Sequence, residues 1–455
     1  MIELTPRRFT FEGTRATTGP CTVGQWDFWR KMHRPGEPAF ADMSSGGLLP
    51  PGTTLDRVLD GLRELVERHE SLRTLFREDG RGGLVQEVRR RGELSIEIIA
   101  LDTLDELYGI VGDWRPLPPG VRHDPRTDLP FGARVGLIDG RPVFFQLWMA
   151  HLAADFLSSQ VLAAELVELL GDDAAERPPI TQPIEKAAQE HTEKGRRTLE
   201  RALDHWRREL DAAPRTMFPA PPGEPASPRF WRGGLRSHAV PPALDLLAAR
   251  YRVGATHVLL AAAAVMIGGY TGLDRCAVRL MAGNRTKREL RHSVGNLAQE
   301  VLSVIDLGGD TFEDAVRATW TASLRAQRHG QFDADAAAAL VEAADVELSV
   351  GFNDLWTPIR ADTAPEGAPH GESVFAWENK VERASVTFFL EVFEVLDDPS
   401  AVRLSLLADT AHLPPPAIRA FLTGIERLLL ALVERDLYLK EIEPVERFLR
   451  PAQTS

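Results

Sequence analysis

The stretch "QLWMAHLAADFLSS", residues 146–159, passes from the pattern of a buried strand to the pattern of a helix. The preceding run "RPVFFQLWM" is largely apolar, and "SSQVLAAELVELL" then returns to helical spacing. A strand that ends in a short turn before a helix projects side chains into a cleft, where a general base can reach a bound substrate. The stretch therefore predicts a strand, a turn and a helix, with His151 as a candidate base.

The spacing of the histidine and the aspartate leaves that role open. Asp155 directly precedes the helical segment and is suited to cap it, and a histidine at a strand end is often only hydrogen-bonded. The same His-x-x-x-Asp spacing recurs at His329 and Asp333, where the preceding segment is helical and no strand delivers the histidine. The pattern alone therefore supports both a catalytic and a structural interpretation.

Strand and helix patterns alternate along the rest of the chain. The segment "TTLDRVLDGLRELVERHESLRTLF", residues 53–76, has the apolar spacing of an amphipathic helix, with Thr54 as its N-cap. Asp139-Gly140 is a hairpin-turn signal between two strand-like runs. A polar, proline-containing segment begins near Gly171 and predicts a connection. We therefore expect an α/β (α+β) fold with two lobes, residues 1–175 and 191–455, joined by a linker at 176–190.

Composition narrows the function classes. The formal net charge of −13 over 455 residues opposes binding to nucleic acid or to an anionic membrane surface. Neither a signal peptide nor a membrane-spanning segment is apparent, and two distant cysteines make no disulfide framework. No phosphate-binding loop, dinucleotide fingerprint or zinc spacing is present. We expect a cytoplasmic protein with no bound cofactor and no metal.

Several motifs occur in an order that resembles a known family. They are "TVGQWDFW" at 22–29, "RHESLRTLF" at 68–76, "MAHLAADF" at 149–156, "GNRT" at 283–286, "VGNLAQE" at 294–300 and "LSVGFNDL" at 348–355. Together they resemble the condensation domains of nonribosomal peptide synthetases, which belong to the chloramphenicol-acetyltransferase-like superfamily. The likeness covers nearly the whole chain from about residue 20.

The resemblance implies two lobes that form a V with a central tunnel. Phosphopantetheine arms of carrier proteins deliver acyl or aminoacyl groups into such a tunnel. His151 aligns with the histidine that acts as a base or positions the attacking amine. Asp155 aligns with a structural aspartate that pairs with an arginine of the other lobe, for which Arg285 is the first candidate and Arg279 the second.

Three places depart from the family pattern. Ala150 replaces the first histidine of the His-His-x-x-x-Asp-Gly motif, and Phe156 replaces its glycine. A phenylalanine there narrows the acceptor side of the tunnel or alters the backbone. The Val-Gly-x-x-x-Asn motif is shifted, with Asn296 directly after Gly295 and Gln299 where the asparagine is expected.

The tunnel-lining candidates are therefore Ala150, Phe156, Gly295, Asn296, Gln299 and Asn353. Asn353 ends a predicted strand and either lines the cleft or starts a turn. The leading hypothesis is a free-standing acyltransferase that meets a peptidyl or acyl carrier protein in trans. It forms an amide or an ester with a small-molecule amine or alcohol. The alternatives are a catalytically degenerate protein that recruits a carrier or a tailoring enzyme, and a coenzyme A-dependent acyltransferase.

Overall fold

The computed structural model describes residues 4–33, 42–80, 82–104, 106, 122–171, 177–220, 223–359 and 371–442. By their contacts these residues form two compact units, each containing helices and strands. The first unit holds the described residues of Met1–His33, Ala39–Leu199 and Gly283–Gln299, and the second holds those of Glu200–Ala282 and Glu300–Ser455. Residues 283–299 come after the first elements of the predicted C-terminal lobe in the sequence, but by their contacts they belong to the first unit. The lobe boundaries read from the sequence stay predictions.

The strands of the first unit are β1 (Leu4–Glu12), β2 (Thr17–Pro20), β3 (Met43–Leu48), β4 (Thr74–Glu78), β5 (Leu84–Val88), β6 (Arg91–Leu101), β7 (Phe131–Ile138) and β8 (Arg141–Met149). They form a five-stranded sheet of order β1-β6-β7-β8-β3 and a three-stranded sheet of order β2-β5-β4. The helices are α1 (Val23–Met32), α2 (Leu55–Arg68), α3 (Phe156–Leu170) and α4 (Pro183–Glu190). Strand β8 therefore lies second from the edge of the larger sheet and leads directly towards α3.

Side chains of β8 alternate between two faces of this sheet, as the pleat of a strand requires. Phe145, Leu147 and Met149 enter a core that also contains the apolar faces of α2 and α3. Phe144 and Trp148 belong to separate small clusters. Burial of one full face against two helices fixes the register of β8, and with it the point where the strand ends.

Two local predictions are confirmed. Asp139 and Gly140 have φ angles of +50° and +74°, the left-handed pair that a tight hairpin between β7 and β8 needs. The side chain of Thr54 accepts a hydrogen bond from the N–H of Arg57 and so caps α2. The predicted helix over 53–76 is shorter than expected, because α2 ends at Arg68.

The predicted linker over 176–190 is not wholly irregular. Residues 172–176 lie outside the described residues, but residues 183–190 form α4, with Pro183 in the first turn. Proline is favoured at the first helical position, where its missing N–H would have no partner in any case. Part of the predicted linker is therefore helical.

The second unit contains most of α5 (Glu193–Ala212) and the helices α6 (Val240–Tyr251), α7 (Ala255–Thr271), α8 (Phe312–Arg328), α9 (Ala334–Ala344) and α10 (Pro415–Glu434). Its strands are β9 (Phe230–Ser237), β10 (Arg275–Ala282), β11 (Gln299–Asp306), β12 (Val350–Asp354), β13 (Val374–Val381), β14 (Phe388–Glu394) and β15 (Val402–Asp409). They form a mixed sheet of order β11-β10-β12-β14-β15-β9-β13. Helix α7 is buried along most of its length, as its apolar sequence predicts.

Within the described ranges, no single helix has the length and apolar content to cross a membrane. Helices α6 and α7 reach that length and content only together, and they are bent by 99° at the break between them.

Candidate active site

The candidate site begins where β8 ends. The carbonyl of Ala150 accepts hydrogen bonds from the N–H groups of Ala153 at 2.9 Å and Ala154 at 3.2 Å, which turn the chain tightly before α3. The N–H of Ala150 donates to the carbonyl of Pro130 at 3.1 Å. These bonds hold the turn that carries His151 and leave its half-buried side chain at the strand end, where the sequence places it.

The imidazole of His151 is held through one ring nitrogen. Its Nδ1 lies 3.1 Å from the carbonyl oxygen of Ala154, which has no hydrogen to give, so in the neutral ring the proton is assigned to Nδ1. Nε2 then carries the lone pair. A neutral imidazole with a free Nε2 is the form that accepts a proton.

Phe28 and two carboxylates shape the surroundings of this ring. Phe28 of α1 packs against it, with ring centroids 4.3 Å apart and planes tilted by 32°. Burial lowers the pKa of His151 below its usual 6.5, outweighing backbone hydrogen bonds and the carboxylates of Asp155 and Asp42, which raise it. His151 is therefore neutral at pH 7 and available as a base.

Asp155 is the N-cap of α3 and is almost fully buried. Its Oδ1 accepts from the N–H of Ser158 at 2.9 Å, and its Oδ2 accepts from the N–H groups of Leu297 at 3.0 Å and Ala298 at 3.2 Å. Arg285 adds two bonds of 2.7 Å, one to each carboxylate oxygen. With its oxygens occupied in this way, Asp155 ties α3 to residues 285–298.

The ion pair is buried on both sides, with side-chain exposures of 6% for Arg285 and 3% for Asp155. Burial by itself raises the pKa of a carboxyl, but the charge and hydrogen bonds of Arg285, with two backbone N–H groups, hold the pKa of Asp155 below 3.8. Asp155 is therefore ionised at neutral pH. Arg279, the second candidate partner, pairs instead with Glu300 at 3.1 Å.

The remaining candidates separate into two groups. Ala150, Phe156, Gly295, Asn296 and Gln299 belong to the first unit, with His151. Asn353 belongs to the second unit, near the end of β12 and in register with Glu391 of β14. The tunnel that the resemblance implies remains a prediction.

The two departures at the motif have clear local settings. Ala150 is buried and clusters with Trp148. Phe156 is the first residue of α3 and is half-buried. It is absent from the described residues with positive φ, so its backbone conformation does not require a glycine. The substitution therefore acts through the phenylalanine side chain.

Sequence reasoning missed Ser158. This buried hydroxyl lies 2.8 Å from Oδ1 of Asp155, 2.8 Å from Nη2 of Arg285 and 3.0 Å from the N–H of Gly295. The only signal in the sequence is its position three residues after an N-cap, where the backbone N–H is expected to bond to the cap. The role of its hydroxyl could not be predicted, because its partners Arg285 and Gly295 lie far along the chain.

The motif "RHESLRTLF" has a structural role. His69 is completely buried and bonds to Glu165 of α3 at 2.9 Å, and Arg68 and Arg177 pair with the same carboxylate. The guanidinium of Arg73, also fully buried, donates to backbone carbonyls. Those carbonyls belong to Val66, Arg15, Arg89 and Glu67. The motif thus fastens α2 to α3 and to neighbouring strands.

Over the described part of the chain, no group of three or more histidine, cysteine, aspartate and glutamate side chains is arranged to hold a metal ion.

Comparison with known proteins fits this geometry. The model of the condensation domain family matches residues 42–356, more than half of the chain. The chain belongs to the condensation-domain family. The match covers the motifs around His69, His151, Arg285 and Gly295, and it begins after α1.

This condensation-domain protein is similar to segments of much longer proteins. It is 28% identical to chondramide synthase of Chondromyces crocatus over 305 residues, which are 62% of this chain and 8% of that protein. It is 27% identical to a polypeptide of the linear gramicidin synthase of Brevibacillus parabrevis over 329 residues, 68% of this chain and 6% of the relative. The chain thus spans less than a tenth of these relatives.

Solved structures show the same fold. One concerns condensation domain-mediated chain release from the enacyloxin polyketide synthase, with TM-score 0.66, 20% identity, and coverage of 98% of this chain and 85% of that chain. SgcC5 of Streptomyces globisporus gives TM-score 0.68, 18% identity, and coverage of 91% and 99%. The X-domain in complex with OxyB from teicoplanin biosynthesis gives 0.63, 18%, and coverage of 95% and 97%. At these identities the likeness establishes the chloramphenicol-acetyltransferase-like fold alone.

Proposed function

We propose that this condensation-domain protein transfers an acyl or aminoacyl group from the phosphopantetheine thioester of a carrier protein to an amine or hydroxyl acceptor. The product is an amide or an ester, and His151 is the base. The observation that carries the proposal is the hydrogen bond from Nδ1 of His151 to the carbonyl of Ala154 at a strand end, which leaves the lone pair of the neutral imidazole on Nε2. Membership of the condensation-domain family supports the reaction class.

The proposed step conserves atoms and charge. The acceptor nitrogen or oxygen bonds to the thioester carbonyl carbon while Nε2 of His151 takes the acceptor proton. The carbon–sulfur bond breaks when the tetrahedral intermediate collapses, and the proton passes to the sulfur, which leaves as the thiol of the arm. A positioned general base contributes about 10²–10⁴-fold to such a rate. Asp155 takes no part in the proton transfer, because its oxygens are held by Arg285 and backbone N–H groups.

A second candidate is a protein that keeps the fold in order to recruit a carrier or a tailoring enzyme. The substitutions at Ala150 and Phe156 favour it, and so does the similarity to an X-domain whose structure is a complex with OxyB. A third candidate is transfer from acyl-coenzyme A, which the single-histidine motif favours. The three candidates differ in which thioester, if any, loses its acyl group.

The test follows the discharge of an acyl-loaded carrier protein by intact-protein mass spectrometry, with panels of amines and alcohols. Wild type is compared with His151→Ala and with the matched control His329→Ala. The control has the same His-x-x-x-Asp spacing, but in the structure His329 ends α8 in the second unit and stacks on His205. Parallel reactions receive acyl-coenzyme A in place of the loaded carrier.

We expect discharge with product formation in wild type and His329→Ala, and a loss of at least about 100-fold in His151→Ala with the fold intact. Carrier binding without acyl transfer in all three proteins supports recruitment and overturns the proposal. Discharge of acyl-coenzyme A in preference to the loaded carrier supports the third candidate.

A further inference from the structure

Asn296 is placed against the backbone of the histidine turn. Its side chain is about 1% exposed, and its amide nitrogen donates to the carbonyl oxygen of His151 at 2.8 Å. The flipped amide would set its oxygen against that carbonyl oxygen, so the hydrogen bond fixes the orientation of the group. The same amide nitrogen lies 3.4 Å from Nδ1 of His151, but both groups are donors while the Nδ1 proton is donated to the Ala154 carbonyl, so this contact is not a hydrogen bond.

The backbone around Asn296 is itself held. The next two N–H groups, those of Leu297 and Ala298, bond to Asp155. On the other side α1 approaches closely, because a Cβ added to Gly24 would lie 2.9 Å from the carbonyl oxygen of Asn296. A residue fixed on both sides is suited to hold a neighbouring group in one geometry.

This anchoring bears on the tautomer of His151. Nδ1 donates to Ala154 only while the carbonyl oxygen of Ala154 stays within hydrogen-bond distance of it, and that depends on the conformation of residues 151–154. The amide of Asn296 tethers this turn at its first carbonyl. Hydrogen-bond partners of one ring nitrogen set which nitrogen remains free in metal and catalytic sites alike.

We infer that Asn296 is a positioning residue, which tethers the turn so that the Nδ1 proton stays on the Ala154 carbonyl and Nε2 keeps its lone pair. The inference rests on the proposed function, in which Nε2 is the base. The family pattern does not supply this residue, because in this chain the asparagine stands directly after Gly295 and Gln299 takes the expected place.

Two carboxylates of the described residues act on the ring by their charge. Asp155 and Asp42 act on His151 electrostatically, and the charge of Asp155 is paired with that of Arg285. From α1, the ring meets the uncharged Phe28. Asn296→Asp places a carboxylate about where the amide now stands, 3.4 Å from Nδ1.

The first experiment titrates the histidine by NMR in the full chain, with His151→Gln used to assign its resonances. We expect Asn296→Asp to raise the pKa of His151 by about 1 unit or more, since an opposite charge at this distance favours the imidazolium. We expect Asn296→Ala to populate both neutral tautomers of His151, which the chemical shifts of the two ring nitrogens report. The control Asn284→Gly removes an equivalent amide bond, to the carbonyl of Leu297 at 2.8 Å, and leaves both signals unchanged.

The second experiment measures acyl transfer against pH. We expect Asn296→Ala to lower kcat by about 10–100-fold with KM within about twofold of wild type, and Asn296→Asp to move the acid limb to higher pH. Unchanged titration, tautomer and pH profile in both folded variants overturn the inference. If wild type transfers no acyl group, the proposed function fails, and the NMR titration still decides whether Asn296 positions the ring.

Discussion

Replacing Arg285 by methionine tests whether the Arg285–Asp155 pair is structural. The change removes two 2.7 Å bonds from a carboxylate that is 3% exposed. Asp155 keeps the N–H groups of Ser158, Leu297 and Ala298 but loses the counter-charge of the guanidinium. Breaking a buried ion pair in this way costs about 3–5 kcal/mol.

The loss of stability is expected in the two segments that the ion pair connects, α3 and residues 283–299. Native-state hydrogen exchange reports it locally, and about 3–5 kcal/mol corresponds to exchange that is roughly a hundred- to several thousand-fold faster. Peptides from β14 and β15 of the second unit serve as an internal control. The double variant Asp155→Asn, Arg285→Met is expected to recover part of the loss, because it buries no charge and asparagine still caps a helix.

The effect depends on pH in a defined direction. In wild type the pKa of Asp155 is held below 3.8, so its contribution is present above that value and is lost as pH falls through the lowered pKa. Without Arg285, burial raises the pKa of Asp155, and the deficit of the variant shrinks as pH falls from about 7 towards about 5. Exchange within about fivefold of wild type at neutral pH, with no pH dependence, would refute the structural role.

Three further predictions use simpler measurements. The kcat/KM of acyl transfer, which reports groups of the free protein, should fall on its acid side with a midpoint below 6.5, because burial lowers the pKa of His151; a midpoint above 6.5 would contradict this. Phe156→Gly should lower the free energy of unfolding by about 1–2 kcal/mol in a denaturant titration while larger acceptors become substrates; an unchanged acceptor panel counts against a steric role. Iodoacetamide at about pH 8 should label neither Cys21 nor Cys276 until urea is added. Both thiols are buried, and burial raises their pKa, to about 12 for Cys276. Labelling of the native protein, detected by mass spectrometry, would show that a thiol is accessible.

Local patterns predicted the elements that carry the site. The apolar spacing and the Thr54 cap indicated α2, and Asp139-Gly140 indicated the hairpin into β8. The end of α2 at Arg68 was missed, because apolar spacing continues into a 3₁₀ turn at Glu70–Arg73 and a strand after it. Apolar spacing does not distinguish a continued helix from a 3₁₀ turn followed by a strand when the side chains at these positions are buried in both.

The contacts within the site join residues that are far apart in the sequence. Asp155 and Arg285 are 130 positions apart, and His151 and Asn296 are 145 apart. Periodicity carries no information about such pairs, and the first was expected only because the motifs resemble a family. Asn296 falls where the chain departs from that family, so neither source indicated its bond to the histidine turn.

The departure at Ala150 bears on the choice between transfer and recruitment. Ala150 packs against Trp148 in a small buried cluster, and its backbone, not its side chain, shapes the turn. The groups that hold His151 are the Ala154 carbonyl and the Asn296 amide, and neither involves the side chain at position 150. Loss of the first histidine of the motif therefore removes none of these hydrogen bonds, and the lone pair stays on Nε2. The Asp155 network supports the fold whether the protein transfers or recruits, so the hydrogen-bonded, neutral imidazole of His151 is the feature that favours transfer.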